Sequence, residues 1–167
     1  MAAFMGAFCG IELFFPIRLD PVYATSANVM NVPTATPTPS PTPFYQLEKV
    51  IAKRGISGKQ LEYANYIWSK WAPHGNRAQA DAICTNLAEG HLDDSATGFN
   101  ADSGTTDRGC WQFNDYYNAG VSDAVARNCI QATDIAYDKW LSRGMSYEGY
   151  WYGYGSNNYN LCMQGLQ

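Results

Sequence analysis

Apolar residues recur at helical spacing over three consecutive stretches, 44–55, 57–71 and 76–89, and this periodicity predicts three helices. Gly55 closes the first stretch and Gly90 follows the third, and glycine is common just after the C-terminus of a helix. The predicted buried stripes comprise Leu61, Ala64, Ile67, Trp68 and Trp71 in the second helix, and Ala80, Ile83, Cys84 and Leu87 in the third.

The starts of the second and third helices carry capping patterns. Ser57 is followed three residues later by Gln60, and Asn76 is followed by Gln79 at the same spacing. In a capping box of this kind the first side chain accepts a backbone N–H from the first turn of the helix. Pro73 lies between the two helices and ends the second one.

The chain changes character after the third helix. Segment 93–106 is rich in Asp, Ser, Thr, Asn and Gly, which predicts turns and a small irregular sheet. Two further helices are predicted at 121–128, capped by Ser122, and at 132–143, capped by Thr133. Several helices with one short β-rich insertion indicate an α+β protein that is mostly α.

The N-terminal 24 residues resemble a secretory signal peptide. They are apolar, and Val22 and Ala24 provide small residues at the positions that a signal peptidase accepts. No basic residue precedes the apolar run, and Glu12 and Pro16 interrupt it, so a weak membrane anchor is the alternative.

A Pro/Thr-rich segment, 25–43, follows and includes the run VPTATPTPSPTP. Proline fixes φ and lacks an N–H donor, so this segment is predicted to be a disordered, extended linker. The remaining residues, 44–167, form one globular domain in this interpretation.

Composition excludes some classes of partner. The chain is 46% apolar and 14% aromatic, which is sufficient for a core, and its net charge is −4 without any basic run. Nucleic acid is therefore not expected as a partner. No CxxC pair or Cys/His cluster has zinc spacing, so neither a metal nor a cofactor is expected.

Four of the five cysteines lie within the globular segment: Cys84, Cys110, Cys129 and Cys162. An even set in a secreted chain is typical of two disulfides, whereas the same set in a cytosolic chain would be buried thiols. The N-terminal segment favours the secreted interpretation.

Two acidic residues are candidates for chemistry. Glycosidic-bond cleavage needs one carboxyl group that stays protonated, beside an apolar wall, and a second carboxylate among polar groups. Glu89 ends an apolar helix stripe, and Asp107 lies among Ser, Thr and Arg residues. On chemistry alone this signal is weak, because the chain has 15 Asp and Glu residues.

The wider pattern is more specific. The segment AICTNLAEGHLDDSATGFNADSGTTDRGCWQFND resembles the lysozyme-like superfamily, both C-type lysozymes and bacterial lytic transglycosylases. In that family a Cys-bearing helix ends at a catalytic Glu, and a polar stretch leads to a Ser/Thr-Asp-x-Gly-x-x-Gln-x-Asn hairpin. Here Glu89 follows Cys84 at the family spacing, and Asp107, Gln112 and Asn114 fit the hairpin motif.

The resemblance implies roles for these residues. Glu89 would be the general acid and Asp107 the second carboxylate. Gln112 and Asn114 would line the sugar-binding cleft, and Gly109 would keep the hairpin backbone close to the substrate. The aromatic residue that packs near the catalytic Glu would be Trp151 or its neighbour Tyr150. The implied disulfides are Cys84–Cys162 and Cys110–Cys129.

The chain departs from the family pattern at several positions. Gly90 replaces the usual Ser after the acid, the Glu-to-Asp interval is one residue longer, and Cys110 lies where the family has an apolar core residue. Arg108 directly follows Asp107 and is expected to pair with it, which would lower the pKa of that carboxyl group.

The resemblance implies a peptidoglycan-cleaving enzyme that acts on the β-1,4 bond between N-acetylmuramic acid and N-acetylglucosamine. Hydrolysis and lytic transglycosylation both fit. A non-catalytic cell-wall glycan-binding module on the same scaffold is the alternative, although a binding module does not need an acid at Glu89. We expect a secreted or cell-envelope monomer whose partner is the glycan strand, without stable membrane insertion once the signal peptide is removed.

Overall fold

The structure is a computed structural model that describes residues 43–167. The predicted signal peptide, 1–24, and nearly all of the predicted linker lie outside the described residues. The described part is mostly helical with one small antiparallel sheet, so the predicted α+β class is confirmed. Its elements are α1 Leu47–Arg54, α2 Gly58–Trp71, a 3-10 turn Ala72–His74, α3 Asn76–Glu89, β1 Thr97–Asn100, β2 Thr105–Arg108, β3 Phe113–Asn114, α4 Asp123–Ala126, α5 Cys129–Ser142 and α6 Asn157–Leu166.

Helix α3 is the central element of the core. It packs against α2 on one side and α6 on another. The predicted stripe is buried, but so are Ala82, Thr85 and Asn86 on other faces of the helix. Thr85 Oγ1 donates to the Asp81 carbonyl at 2.7 Å, and Asn86 Nδ2 donates to the Cys110 carbonyl at 2.8 Å, whereas the buried Asn86 Oδ1 has no partner among the described residues. A helix surrounded in this way holds its last residue, Glu89, firmly in place.

Both predicted capping boxes are wrong. Ser57 precedes α2 with extended backbone, but its side chain accepts no capping hydrogen bond. Gln60 instead donates its amide to the His91 carbonyl at 3.1 Å. Asn76 is already the first residue of α3, and its side-chain amide forms two hydrogen bonds with the backbone of Tyr45. These side chains are used for tertiary contacts rather than for the helix ends.

The later helices differ from the prediction in their starts. Ser122 caps α4 as predicted, accepting a hydrogen bond from the Val125 N–H. Helix α5 begins at Cys129, and Asn128 is its cap, so the predicted cap at Thr133 is wrong. Thr133 is buried inside the helix, where its hydroxyl accepts a hydrogen bond from the indole of Trp111 at 2.9 Å.

Helix α6 was not predicted from the pattern. It begins after Ser156, whose hydroxyl accepts the Tyr159 N–H. Its buried side packs against α3 and α1, and the Leu166 carbonyl accepts a hydrogen bond from Gln46 N at 2.8 Å. The helix therefore closes the core against both the start of the domain and its central helix.

The sheet has the order β1-β2-β3 with antiparallel neighbours. The register places Asp107 opposite Gly98 on β1 and opposite Asn114 on β3. Alternate residues of a strand face opposite sides, so Thr105 and Asp107 share one face of β2 while Arg108 lies on the other. One face of the sheet therefore carries the acidic candidate.

Two disulfides cross-link the elements. Cys84 on α3 is bonded to Cys162 on α6, and Cys110, after β2, is bonded to Cys129 at the start of α5. These are the pairs that the resemblance implied. Disulfides are typical of proteins in oxidising compartments. Among residues 43–167, no helix has the length and apolarity needed to cross a membrane.

Candidate active site

Glu89 is the last residue of α3 and is half-buried. Its Oε1 accepts a hydrogen bond from the backbone N–H of Gly153 at 2.5 Å. Burial raises the pKa of Glu89, the Gly153 N–H lowers it, and the negative charge of Asp107 raises it again, with a raised pKa as the result. The carboxyl group therefore keeps its proton to higher pH than an exposed glutamate does.

Gly90 is the C-terminal cap of α3 as predicted, and its N–H donates to the Asn86 carbonyl at 2.9 Å, but its φ of −123° lies outside the left-handed region. The next two residues, His91 and Leu92, take the left-handed conformation instead, with φ of 55° and 59°. A Cβ on Gly90 would lie 2.6 Å from the backbone of Cys110. Glycine follows the acid because the Cys110 turn occupies the space that a serine side chain would need, which accounts for this departure from the family pattern.

Asp107 is held on its face of the sheet by two amide donors. Asn114 Nδ2 donates to Oδ1 at 2.8 Å, and Asn100 Nδ2 donates to Oδ2 at 2.9 Å. Asn114 Nδ2 also donates to Thr105 Oγ1, and its side-chain Oδ1 accepts the backbone N–H groups of Tyr116 and Tyr117. Each carboxylate oxygen therefore has a donor, an arrangement that fixes the direction of an ionised group.

Arg108 does not pair with Asp107, so that prediction is wrong. Its guanidinium donates to the carbonyls of Phe113 and Val121 and lies 3.9 Å from a carboxylate oxygen of Asp123. The physical reason is strand alternation, since adjacent residues of β2 face opposite sides of the sheet. Arg108 therefore does not neutralise Asp107, whose negative charge acts on Glu89.

Gln112 lies beside Asp107 but also supports the turn. Its Nε2 donates to the Gly109 carbonyl at 2.7 Å, and its Oε1 lies 3.2 Å from where a Cβ on Gly98 would be. Gly109 itself has φ of 69° and packs against helix α4, where a Cβ would meet the Ala126 carbonyl at 1.8 Å. The close approach that the structure shows at Gly109 is therefore to α4.

The two aromatic candidates have different surroundings. Trp151 is buried, and its indole donates to the Trp111 carbonyl at 3.0 Å. Tyr150 is half-buried, and its hydroxyl donates to Asn118 Oδ1 at 2.5 Å. The hydrogen bond to Glu89 comes from Gly153, two residues after Trp151. The segment predicted to approach the acid thus does so through its backbone.

Sequence reasoning missed three contributors to this site: Gly153, Asn100 and the exposed pair Tyr116 and Tyr117. The turn 101–104 was a usable signal for Asn100, because a hairpin closed there pairs Asn100 with Thr105 and puts it one position diagonally from Asp107. No local pattern identifies Gly153, which lies 64 residues from Glu89. Tyr116 and Tyr117 begin two residues after Asn114 and are 71% and 77% exposed.

Glu89 and Asp107 do not line either of two cavities, of about 270 and 240 Å³, in the described residues. Within 43–167, no group of three or more His, Cys, Asp or Glu side chains is placed to hold a metal ion. Comparison with protein-family models, curated proteins and solved structures finds no match to this chain.

Proposed function

We propose that this chain is a peptidoglycan-cleaving enzyme of lysozyme-like fold, in which Glu89 is the general acid. The observation that carries the proposal is the pairing of two unlike carboxyl groups. Glu89 is half-buried with a raised pKa, and Asp107 is held by two amides within electrostatic reach of it. Two carboxyl groups in such different environments can act as one acid and one anion in the cleavage of a glycosidic bond. Lysozyme is the established example of this arrangement.

In this mechanism the proton of Glu89 passes to the oxygen of the β-1,4 bond, and the bond between that oxygen and C1 of N-acetylmuramic acid breaks. The Asp107 carboxylate stabilises the positive charge that develops at C1 or bonds to it. Water then attacks C1 and returns a proton to Glu89. In lytic transglycosylation, a hydroxyl of the same muramic acid takes the place of water and yields an anhydro product.

The surface around the two carboxyl groups suits an extended glycan. The rings of Tyr116 and Tyr117 are exposed and pack edge to face with centroids 5.2 Å apart. They begin two residues after Asn114, which holds Asp107. Such rings combine an apolar face with a polar tip, as sugar binding requires. The amide of Gln112 lies on the same side of the sheet, near Gly98. We therefore assign the strand-binding surface to the sheet and the segment after β3.

A secreted or cell-envelope location is part of the proposal. The two disulfides support it, because such bonds persist in oxidising compartments. The substrate of the proposed enzyme is also found only outside the cytoplasm. We propose that the protein acts there as a monomer on glycan strands.

The test is digestion of purified peptidoglycan followed by mass spectrometry. New reducing ends identify a hydrolase, and products lighter by one water identify a lytic transglycosylase. Glu89→Gln is expected to lower the rate at least about 100-fold, the usual effect of losing a general acid. Glu48→Gln is the matched control, since Glu48 is an exposed residue of α1 outside the site.

The same experiment decides against the proposal if Glu89→Gln retains full activity. Binding to peptidoglycan without any product would instead identify the chain as a glycan-binding module. Asp107→Asn adds a second distinction, because it removes the charge and keeps an oxygen that accepts one of the two amide hydrogen bonds. A large rate loss is expected if Asp107 stabilises or traps the C1 cation.

A further inference from the structure

Two cations of α5 converge on one aromatic ring. Lys139 lies in the last turn of the helix, and Arg143 directly follows the helix. The central carbon of the Arg143 guanidinium is 4.3 Å from the centre of the Tyr150 ring, and Lys139 Nζ is 5.1 Å from the same centre. A cation over an aromatic ring is attracted to its electron-rich face and keeps its N–H groups available as donors. We call Lys139, Arg143 and Tyr150 the basic patch.

The two cations of the basic patch lack acidic partners in the described part of the chain. The other Lys and Arg side chains after α1 form ion pairs with aspartates: Lys59 with Asp94, Lys70 with Asp134, Arg77 with Asp81, and Arg108 and Arg127 with Asp123. Lys139 and Arg143 form no such pair within residues 43–167, and like charges four residues apart repel each other. An anion bound to both side chains would remove this repulsion.

Tyr150 connects the basic patch with both candidate carboxyl groups. Its hydroxyl donates to Asn118 Oδ1 at 2.5 Å, and the Asn118 N–H donates to the carbonyl of Asn114 at 2.9 Å. Asn114 in turn holds Asp107. Three residues after Tyr150, the same segment donates a backbone N–H to Glu89. The two cations therefore lie at the edge of the proposed strand-binding surface.

The proposed substrate carries anions that suit the basic patch. N-acetylglucosamine is neutral, whereas N-acetylmuramic acid has a lactyl group to which a short peptide with free carboxylates is attached. Arg and Lys bind carboxylates through charge-assisted hydrogen bonds. The net charge of −4 gives the protein no general attraction to anions, so their recognition requires a local cluster of cations. Building on the proposed function, we propose that Lys139 and Arg143 bind the carboxylates of this peptide, so that peptide-bearing strands are the preferred substrate.

The test is an NMR titration of the full chain with N-acetylmuramyl-L-alanyl-D-glutamic acid, which contains the sugar and two free carboxylates. Its diamide is the comparison, because it has nearly the same size and lacks both charges. We expect the acid to cause saturable shifts at the backbone amides of Arg143 and Tyr150. The diamide should bind about two- to thirtyfold more weakly, the value of two exposed charge pairs. Added salt should weaken binding of the acid more than binding of the diamide.

A double variant, Lys139→Gln with Arg143→Gln, removes both cations of the basic patch. It is expected to bind the acid about two- to thirtyfold more weakly and to lose the preference for the acid over the diamide. Lys53→Gln with Arg54→Gln is the matched control, since both residues are exposed on α1 and the net charge changes by the same amount. The control should bind the acid as the parent protein does. With peptidoglycan as the substrate, the patch variant should show a raised KM.

Several results would overturn the inference. These are equal affinities for the acid and the diamide, an equal loss of affinity in the control variant, or no saturable shift at Tyr150. Tighter binding of glycerol 3-phosphate than of the acid would also overturn it, because the basic patch would then suit a phosphate-bearing wall polymer. None of these results bears on Glu89, so loss of this inference leaves the proposed cleavage standing. Conversely, the titration needs no cleavage and can be interpreted even if the chain does not cut peptidoglycan.

Discussion

At the scale of single residues, the pKa of Glu89 is set by opposed influences. Burial and the charge of Asp107 favour its protonated form, and the Gly153 N–H favours the carboxylate. The raised pKa means that the folded state binds a proton more tightly than the unfolded chain does. Stability is therefore highest below the unfolded pKa of glutamate and falls as pH rises through the folded pKa of Glu89.

Glu89→Gln removes this dependence while keeping an oxygen that accepts the Gly153 N–H. We expect the variant to equal the parent protein in free energy of unfolding at low pH and to exceed it above the folded pKa of Glu89. Urea unfolding at a series of pH values measures the difference. A variant that is less stable at neutral pH would contradict the account of a carboxyl group held protonated by burial.

The same pKa sets a prediction for activity. Cleavage needs the protonated form of Glu89, so the rate should decline as pH rises through the pKa of that group in the enzyme. The pH profile of peptidoglycan digestion, with folding checked by circular dichroism, tests this decline. A rate that does not fall as pH rises would contradict the role of Glu89 as the acid.

Asn114 connects the acidic residue with the segment that follows. It donates to Asp107 and Thr105 and accepts the N–H groups of Tyr116 and Tyr117. We expect Asn114→Ala to cost about 1–3 kcal/mol of unfolding free energy, since it removes one bond to a charged group and leaves backbone donors free. Thermal or urea unfolding measures the loss.

Asn100→Ala is the comparison, because Asn100 is exposed and its side-chain amide donates to Asp107 at 2.9 Å and to Thr105 at 3.5 Å. Its cost should be below about 1 kcal/mol, as exposed polar contacts contribute little. Both variants should slow peptidoglycan cleavage if the two amides orient Asp107. Equal stability losses in the two variants would contradict the wider role of Asn114.

At the scale of elements, the hairpin is held against α4 by a glycine that lacks room for a side chain. Gly109 has φ of 69° and lies so close to α4 that a Cβ would meet the Ala126 carbonyl at 1.8 Å. Gly104, at the hairpin turn, has a similar φ of 67° with open space around it. Substitutions at the two positions therefore distinguish the free-energy cost of backbone strain from the cost of a steric clash.

Gly104→Ala should cost about 1 kcal/mol, the usual penalty for a left-handed residue that is not glycine. Gly109→Ala carries the same penalty and the clash with α4 as well, so its loss of unfolding free energy should be at least twice as large. Urea unfolding of both variants provides the comparison. Equal losses would show that α4 moves away from the hairpin without cost.

Local sequence patterns predicted the elements whose bounds depend on neighbouring residues, but not the features that depend on residues far apart in the chain. The end of α3 at Glu89 is set by apolar periodicity and the following glycine, both of which are local. The start of α5 was misplaced because Thr133 has the chemistry of a cap, whereas its hydroxyl is used by the distant Trp111. The contact between Gly153 and Glu89 and the packing of Gly90 on Cys110 depend on residues far apart in the chain, which periodicity does not reveal.

At the scale of the whole molecule, the two carboxyl groups lie on different elements that the disulfides secure separately. Cys84–Cys162 ties α3 to α6 across 78 residues, and Cys110–Cys129 ties the turn after β2 to α5 across 19 residues. In the loop-closure model the longer link stabilises the fold by about 4 kcal/mol and the shorter one by about 3 kcal/mol.

The two links should therefore differ in their effect on function. Replacing Cys84 and Cys162 by Ala is expected to cost more stability, with the site kept in the molecules that remain folded. Replacing Cys110 and Cys129 by Ala should cost less stability, yet it frees the turn that packs against Gly90 and carries the hairpin relative to Glu89. Cleavage per folded molecule should therefore fall more in the second variant. Urea unfolding and peptidoglycan digestion on the same samples measure both quantities, and a larger activity loss in the first variant would contradict this division between stability and positioning.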